Sequence, residues 1–210
     1  TGIALVPLAA AALDYNDYWV GRNQATKVDL QVMALSPTIA YRVTDKLSVG
    51  ASLQAVYSNL NLHFAVPRIL ANRPEGNGSI NGDDVLPGFT LGAMYELSER
   101  TRFGLSYQSE LEPKFDGDLK TNPAGLQVST DTKLPLGEYL RFSVHQAMDE
   151  RWSVEFTTGW DNWSSLGNVL VDTENRSAGL ATNWKDTYHV AWGTEYKLDN
   201  HWTVTGGVAY

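Results

Sequence analysis

The sequence has no cysteine, few basic residues and no long hydrophobic run. The absence of cysteine from the 210 residues excludes disulfides, thiolate metal sites and thiol nucleophiles. Sixteen Lys and Arg against 24 Asp and Glu give a net charge of -8, which excludes a basic surface for nucleic acid. The most apolar segment, residues 3–13, is too short for a spanning helix and contains Pro7. If the chain crosses a membrane, it must do so as strands.

Four short polar segments recur along the chain at intervals of about 50 residues. They are Thr44-Asp45-Lys46, Ser98-Glu99-Arg100, Asp149-Glu150 and Asp199-Asn200. Apolar and polar residues alternate on both sides of each segment, as where Leu140 and Phe142 alternate with Arg141 and Ser143. Alternation with a period of two is the signature of a β-strand. The repeat therefore predicts four β-hairpins with short turns.

The connections between the predicted hairpins are long. They cover about residues 65–84, 117–135 and 164–183, and their frequent Gly, Asn, Pro and Asp predict loops. Short turns at one end and long loops at the other are typical of a bacterial outer-membrane barrel. The predicted fold class is therefore all-β, an antiparallel transmembrane β-barrel.

Aromatic residues on the apolar faces indicate which face meets lipid. Trp152 and Trp160 are eight residues apart, which is about 26 Å along a strand and about 20 Å across the membrane at a tilt of about 40°. This is close to the apolar band of about 25 Å between the aromatic girdles of such barrels. The opposite faces carry charged residues that a lumen hydrates and lipid does not. A soluble β-barrel or sandwich, with its polar faces on the surface, is the alternative.

Six segments distributed over nearly the whole chain match a known family. They are 14–22 (DYNDYWVGR), 40–51 (AYRVTDKLSVGA), 134–138 (LPLGE), 161–164 (DNWS), 183–188 (NWKDTY) and 192–210 (WGTEYKLDNHWTVTGGVAY). Together they resemble the outer-membrane long-chain fatty-acid transporter family (FadL-like). The resemblance implies a fourteen-stranded barrel, plugged by an N-terminal hatch, that passes hydrophobic molecules across the bacterial outer membrane without energy input.

The resemblance also implies how much of such a barrel is present. Residues 1–210 match roughly the third to the eleventh strand, so we expect a partial barrel of about nine strands without the hatch, the first two strands and the last three. Thr1 is not an initiator Met and Tyr210 lies within a strand pattern, which agrees with a piece of a longer protein. The family's lateral exit lies at a kink in the third strand. The matching segment contains Pro7, which is the candidate for that opening or, alternatively, a plain strand end.

Candidate ligand-binding residues follow from the cargo that the resemblance implies, a long-chain fatty acid or another hydrophobic small molecule. Apolar residues of the first two long connections are candidates for a landing groove: Phe64, Val66, Ile69, Leu70, Leu119, Leu126 and Val128. Basic residues of the polar face are candidates for a carboxylate head group: Arg102, Arg141 and His145. The alternatives are ordinary loop packing for the apolar set and mutual pairing of lumen charges for the basic set.

No catalytic motif, metal-ligand spacing or cofactor signature is present, so we expect neither an enzyme nor a cofactor. The expected partners are membrane lipid and the hydrophobic cargo, with no nucleic acid, and we expect a monomer. A general diffusion porin or adhesion barrel and a soluble β-barrel binding protein remain the alternative functions. An outer-membrane lipase barrel is the enzyme alternative, and it would require a Ser-His pair that the pattern does not locate.

Overall fold

The computed structural model describes residues 1–66, 76–122, 126–173, 176–181 and 183–210, without the side chains of 66, 116–119, 121–122, 126–128, 130, 167–173 and 176–181. The strands are β1 (Gly2–Asp14), β2 (Lys27–Arg42), β3 (Leu47–Val66), β4 (Gly76–Glu96), β5 (Thr101–Gln108), β6 (Lys114–Asn122), β7 (Leu126–Lys133), β8 (Tyr139–Ala147), β9 (Trp152–Asp161), β10 (Asn168–Thr173), β11 (Arg176–Ala181), β12 (Thr187–Lys197) and β13 (Thr203–Ala209). A short 3-10 helix covers Trp163–Gly167. In the described part of the chain, no helix is long and apolar enough to cross a membrane.

Nine strands form the main wall. Their order is β1-β2-β3-β4-β5-β8-β9-β12-β13, and each pairs antiparallel with its neighbours. The remaining strands extend the sheet at its loop end, where β6 pairs with β4 and the order continues through β7 and β10 to β11. The predicted all-β antiparallel class and the predicted number of barrel strands are confirmed.

The four predicted short turns share one hydrogen-bonding arrangement. In each turn, the first side-chain oxygen accepts hydrogen bonds from the backbone N–H groups two and three residues later. The accepting residues are Thr44, Ser98, Asp149 and Asp199. Because Asx and Ser/Thr turns of this kind depend only on local sequence, the repeat could be detected from sequence.

The prediction that the long connections are loops is wrong over much of their length. β3 continues to Val66 and pairs residue for residue with β4, which begins at Gly76. The next two connections contain β6, β7, β10 and β11. Gly- and Asn-rich segments have weak strand propensity alone, but a neighbouring strand whose N–H and C=O groups need partners overrides that preference.

Side chains alternate across the wall with the apolar set on the outside. Leu53 is 73% exposed, whereas its neighbours Ser52 and Gln54 are 9% and 8% exposed. Other wall strands also expose large apolar side chains, among them Ile39, Leu91, Leu105, Phe142, Trp192 and Val208. Lipid covers such a continuous apolar surface, and a soluble protein would bury it. The structure therefore favours the membrane interpretation over the soluble barrel.

A pair of inward segments covers part of the inner face. Residues 109–113 and 134–138 run antiparallel, because Leu111 and Leu136 exchange backbone hydrogen bonds of 3.0 and 2.7 Å. We call this pair the inward ledge. Leu111 forms a buried cluster with three residues of β2 and β3, namely Val32, Ala34 and Val56. The core of the described chain thus lies between the ledge and the inner face of β2 and β3.

Candidate functional site

The inner face of β2, β3 and β4 is apolar toward the loop end. The residues that lie opposite one another there are Ala34, Val56 and Leu86, then Leu30 and Leu60, then Val28, Leu62 and Ile80. We call these eight residues the apolar wall. One row of paired residues within this region, formed by Val32, Ser58 and Asp84, contains polar side chains. Ala34, Val56, Leu60 and Ile80 are buried, whereas Val28, Leu30, Leu62 and Leu86 are only half-buried. A hydrophobic molecule in contact with the half-buried residues of the wall would keep most of the free energy that it gains on leaving water.

Toward the short turns, the same inner face is small and polar. Ser52 lies opposite Thr38 and Thr90, and Gly50 lies opposite Ala40 and Gly92. The boundary is formed by two buried amides, Gln54 and Gln108. Gln108 Nε2 donates to Gln54 Oε1 at 2.8 Å, and Gln54 Nε2 donates to Gln108 Oε1 at 3.3 Å.

An irregularity in β1 lies beside the end of the apolar wall that is nearest to the short turns. Pro7 is opposite Met33 and Ala9 is opposite Val32, so Leu8 is an extra residue in β1. Proline has no N–H to donate to the ladder, and a bulge re-aims the side chains next to it. Leu8 and Ala9 both pack against the buried cluster around Val32. Regular pairing is therefore interrupted next to Pro7 and continues beyond it, whereas an opening at Pro7 remains a prediction.

Four of the candidate landing-groove residues, Phe64, Leu119, Leu126 and Val128, lie in the part of the sheet that continues from the apolar wall toward the loops. Phe64 is half-buried and lies over Gly78, where an added Cβ would be 2.6 Å from Phe64 Cζ. By backbone register, Leu119 lies opposite both Ile80 and Val128. In the next row of paired residues, Phe64 lies opposite Gly78 and Gly78 lies opposite Thr121. Thr121 in turn lies opposite Leu126.

Candidates from two different connections thus occupy adjacent levels of one sheet. The side chains of Val66, Leu119, Leu126 and Val128 lie outside the described set, and Ile69 and Leu70 lie outside the described residues. The ligand role of all seven candidates stays a prediction.

Arg141 is held by residues of its own strand β8 and of the neighbouring strand β9. Its Nη2 donates to Asp161 Oδ1 at 2.6 Å, and its Nη1 donates to Trp160 O at 3.1 Å. The guanidinium carbon lies 4.6 Å from the centre of the Tyr139 ring. On β12, His189 Nδ1 is 3.5 Å from Asp161 Oδ2. Arg141 therefore has a carboxylate partner within the chain.

Arg102 and His145 lie together near the short turns, apart from Arg141. Arg102 is opposite both Glu96 and His145, and His145 is opposite Glu155, so charged and titratable groups form a row across four strands. Arg102, His145 and Glu155 line a cavity of about 770 Å³, and Glu195 on β12 lines it as well. The cavity walls are polar, which suits water and ions better than a hydrocarbon chain.

Two of the segments that carry the family resemblance meet at the loop end. Asp186 accepts hydrogen bonds from Trp160 Nε1 at 2.9 Å and from Ser164 N at 3.1 Å. Hydrogen bonds from Ser164 and Trp160 lower the pKa of the Asp186 carboxyl from its usual value. The rings of Trp163 and Trp184 lie 5.3 Å apart. This cluster connects the start of the 3-10 helix to the segment before β12.

Sequence reasoning did not single out the boundary amides or the ledge residue Leu111. A signal for the amides exists, because Gln54 and Gln108 are 54 residues apart and each is the eighth residue after a short turn. Their burial depends on the inward course of residues 109–113, which alternation does not reveal. For the segment 134–138, the sequence indicates only a motif of the family.

Comparison with known proteins places this arrangement in a family. The family model described as "Outer membrane protein transport protein (OMPP1/FadL/TodX)" matches residues 1–210. The chain belongs to this family. This FadL-family chain is 25% identical over 253 residues to the long-chain fatty acid transport protein of Escherichia coli strain K12, with 100% of the chain and 57% of the relative covered. It is 24% identical over 230 residues to outer membrane protein P1 of Haemophilus influenzae, with 94% of the chain and 50% of the relative covered.

Solved structures share the fold of this FadL-family chain. A FadL homologue from Pseudomonas aeruginosa superposes with a TM-score of 0.90 at 18% identity, covering 99% of the chain and 55% of the homologue. The toluene transporter TbuX of Ralstonia pickettii gives a TM-score of 0.80 at 21% identity, with 99% and 64% covered. The chain spans about half the length of the curated relatives that it matches.

The matches bear on two further expectations. The relatives are named as outer-membrane or transport proteins, which confirms the expected outer-membrane location. The family description and the name of the Escherichia coli relative are those of transport proteins, which agrees with the expectation that the chain is not an enzyme. No cluster of three or more His, Asp or Glu side chains that would hold a metal ion occurs among the described residues.

Proposed function

We propose that the protein passes hydrophobic small molecules across the outer membrane passively and releases them sideways through the wall near Pro7. One observation carries this proposal. The apolar wall ends at Gln54, and the β1 bulge at Leu8 lies beside the end of the wall that is nearest to Gln54. A molecule that follows the wall inward thus reaches the irregular strand before it reaches the polar end of the lumen.

The energetics favour a sideways exit over a path through the polar end. Each buried CH₂ gains about 0.8 kcal/mol, so a chain of about sixteen carbons would lose on the order of 10 kcal/mol on leaving apolar contact for water. Beyond Gln54, the inner face leads to the charged row that contains Arg102 and Glu155. Exit between strands instead delivers the molecule to the hydrocarbon of the bilayer.

Two cargo classes are supported by the names of similar proteins. Curated relatives are long-chain fatty acid transport proteins, and solved structures of the same fold include a toluene transporter and a monoaromatic hydrocarbon channel. Both cargoes are apolar over most of their surface, and both suit the apolar wall. We infer the shared class, a hydrophobic small molecule, as the cargo, with membrane lipid as the receiving phase.

Uptake by whole cells tests the proposal. The complete protein is expressed in cells that lack their own transporter, and uptake of radiolabelled oleate, toluene and a small polar sugar is measured. Heat-modifiable mobility on gels confirms that the barrel is folded, and cells with empty vector give the background. Uptake of oleate or toluene without the sugar supports the hydrophobic route and identifies the cargo class. Sugar uptake at a comparable rate contradicts it.

A general diffusion porin is the second candidate function. The cavity of about 770 Å³ among Arg102, His145 and Glu155 is the observation that favours it, because polar solutes prefer such a lining. The same uptake experiment separates the two functions, since a porin would admit the sugar.

A further inference from the structure

The inward ledge lies at the point where the inner face changes from apolar to polar. Leu111 is only 4% exposed and packs on Val32, Ala34 and Val56, which are fully buried. Those three residues belong to the lowest levels of the apolar half of the inner face. The ledge therefore covers the transition between the two halves.

Hydrogen bonds hold the chain in position where β5 ends and the inward ledge begins. Ser109 N donates to Phe89 O at 3.0 Å, and Phe89 N donates to Ser109 Oγ at 3.0 Å. One residue earlier, Gln108 exchanges two amide hydrogen bonds with Gln54 and accepts a third from Thr90 Oγ1 at 2.6 Å. Because buried amides are costly to leave unpaired, this network strongly favours one position of the chain.

Gly88 on β4 has no side chain and therefore leaves room for this arrangement. An added Cβ at Gly88 would lie 2.6 Å from Leu111 Cδ2 and 3.0 Å from Gln54 Oε1. Gly88 thus allows Leu111 and the amide pair to approach the same point of the backbone. Three strands and the ledge converge there.

We propose that Gln54 and Gln108 are positioning residues that hold Leu111 as a barrier between the apolar and polar halves of the lumen. The proposal rests on the proposed function, because a hydrophobic route needs such a barrier and an open pore does not. In this proposal, Leu111 is the residue that keeps cargo and water apart beside the Leu8 bulge.

Chemical protection of a single thiol tests the barrier. The described chain has no cysteine, so Ala34→Cys in a cysteine-free form of the complete protein gives one reactive site beneath Leu111. A membrane-impermeant maleimide is added to folded protein in lipid vesicles, and the labelling rate is measured. We expect slow labelling with the native ledge and labelling that is severalfold faster when Leu111→Ala is added. The control Leu53→Ala changes a side chain on the outer face and should leave the rate unchanged.

The amide pair is tested by a double-mutant cycle on the same readout. Gln54→Leu or Gln108→Leu alone leaves one buried amide without its partner, so each should speed the labelling of Cys introduced at 34. The double variant removes both amides and replaces them with apolar groups, which is often nearly neutral. It should therefore restore much of the protection. If the effects of the two single substitutions on the labelling rate instead add up in the double variant, the two amides do not act as a pair and the proposal loses its support.

A second measurement avoids the introduced thiol. Single-channel conductance of KCl in planar bilayers should rise in Leu111→Ala and stay at the native value in Leu53→Ala. Unchanged labelling and unchanged conductance in Leu111→Ala would overturn the proposal. Neither readout uses a hydrophobic cargo. A failure of the barrier is thus distinguishable from a failure of the proposed function, which the oleate and toluene assay reports.

Discussion

Arg141 on β8 and Asp161 on β9 are joined across the inner face by a hydrogen bond of 2.6 Å. Between them lies Gly159, where an added Cβ would be 2.7 Å from Arg141 Cδ and would also collide with the His189 ring. The absence of a side chain at 159 therefore allows the guanidinium to lie flat against the wall. A residue that the sequence marks as a candidate for binding a carboxylate cargo already binds a carboxylate of its own chain.

This pairing predicts that Arg141 contributes to the stability of the barrel. The side chains of Arg141 and Asp161 are 28% and 22% exposed, whereas those of the matched pair Arg42 and Glu96 are 59% and 39% exposed. Arg141→Gln should lower the free energy of unfolding by about 1–2 kcal/mol, and Arg42→Gln by less than about 0.5 kcal/mol, since exposed pairs are well screened. Urea unfolding of the complete protein in lipid vesicles measures both.

The opposite result would point to a role in cargo binding. If Arg141→Gln leaves the unfolding free energy unchanged but lowers oleate uptake relative to toluene uptake, the guanidinium serves the cargo carboxylate. Toluene has no carboxylate, so its uptake is the internal control.

The turn at Asp149 predicts a pH dependence of stability. Backbone N–H groups of Arg151 and Trp152 each donate to Asp149 Oδ1 at 2.8 Å, and these bonds lower the pKa of the Asp149 carboxyl. A lowered folded-state pKa stabilises the fold above the unfolded pKa of about 3.9, and the contribution is lost as the pH falls through the folded-state value. Asp149→Ala should thus lower the urea midpoint at pH 7 and have less effect at strongly acidic pH.

Asp149→Asn is the matched control for this turn. Its amide oxygen still accepts the two N–H bonds, so most of the stability should remain, with a weaker dependence on pH. Equal losses in the Ala and Asn variants at pH 7 would contradict this expectation, because a neutral oxygen acceptor would then contribute nothing to the stability of the turn.

How far the sequence predicted the structure depends on the range of the interactions. The turn residues Thr44, Ser98, Asp149 and Asp199 act through neighbours two and three positions away, so their spacing alone indicated the hairpins. Alternation likewise predicted that Leu53 lies on the apolar face of its strand, and the aromatic residues of such faces indicated that they meet lipid; Leu53 is 73% exposed. These features require no knowledge of distant residues.

The parts that the sequence missed depend on contacts between distant segments. Residues 76–84 look like a loop, yet β3 supplies a partner for each of them. Leu111 is buried by β2 and β3, more than 50 residues earlier in the chain. At the candidate site, Pro7 was identifiable because proline lacks a donor, whereas the partner of Arg141 depends on the register between β8 and β9.

Tryptophan quenching should distinguish lipid-facing residues from loop residues. Trp192 lies in the middle of β12 on the outer face and is 54% exposed, whereas Trp19 donates from Nε1 to Ala25 O at 2.8 Å in the connection before β2. In single-tryptophan forms of the complete protein, lipids brominated on their acyl chains should quench Trp192 strongly and Trp19 weakly. Equal quenching of the two residues, or no quenching of Trp192, would contradict the assignment of the outer face of β12 to lipid.

Deletion of Leu8 tests the sideways exit directly. Without the extra residue, Ala9 moves into register and β1 can pair with β2 without interruption, since Pro7 is opposite Met33 and Ala9 is opposite Val32. A regular wall offers no irregular backbone through which cargo can pass, so uptake of oleate or toluene should fall to near that of cells without the protein. Leu8→Ala is the matched control, because it keeps the extra residue and removes only the side chain that packs on the buried cluster. It should retain most of the uptake. If the deletion variant folds, as judged by heat-modifiable mobility, and transports as well as Leu8→Ala, then cargo leaves by another path and the bulge serves only the packing of β1.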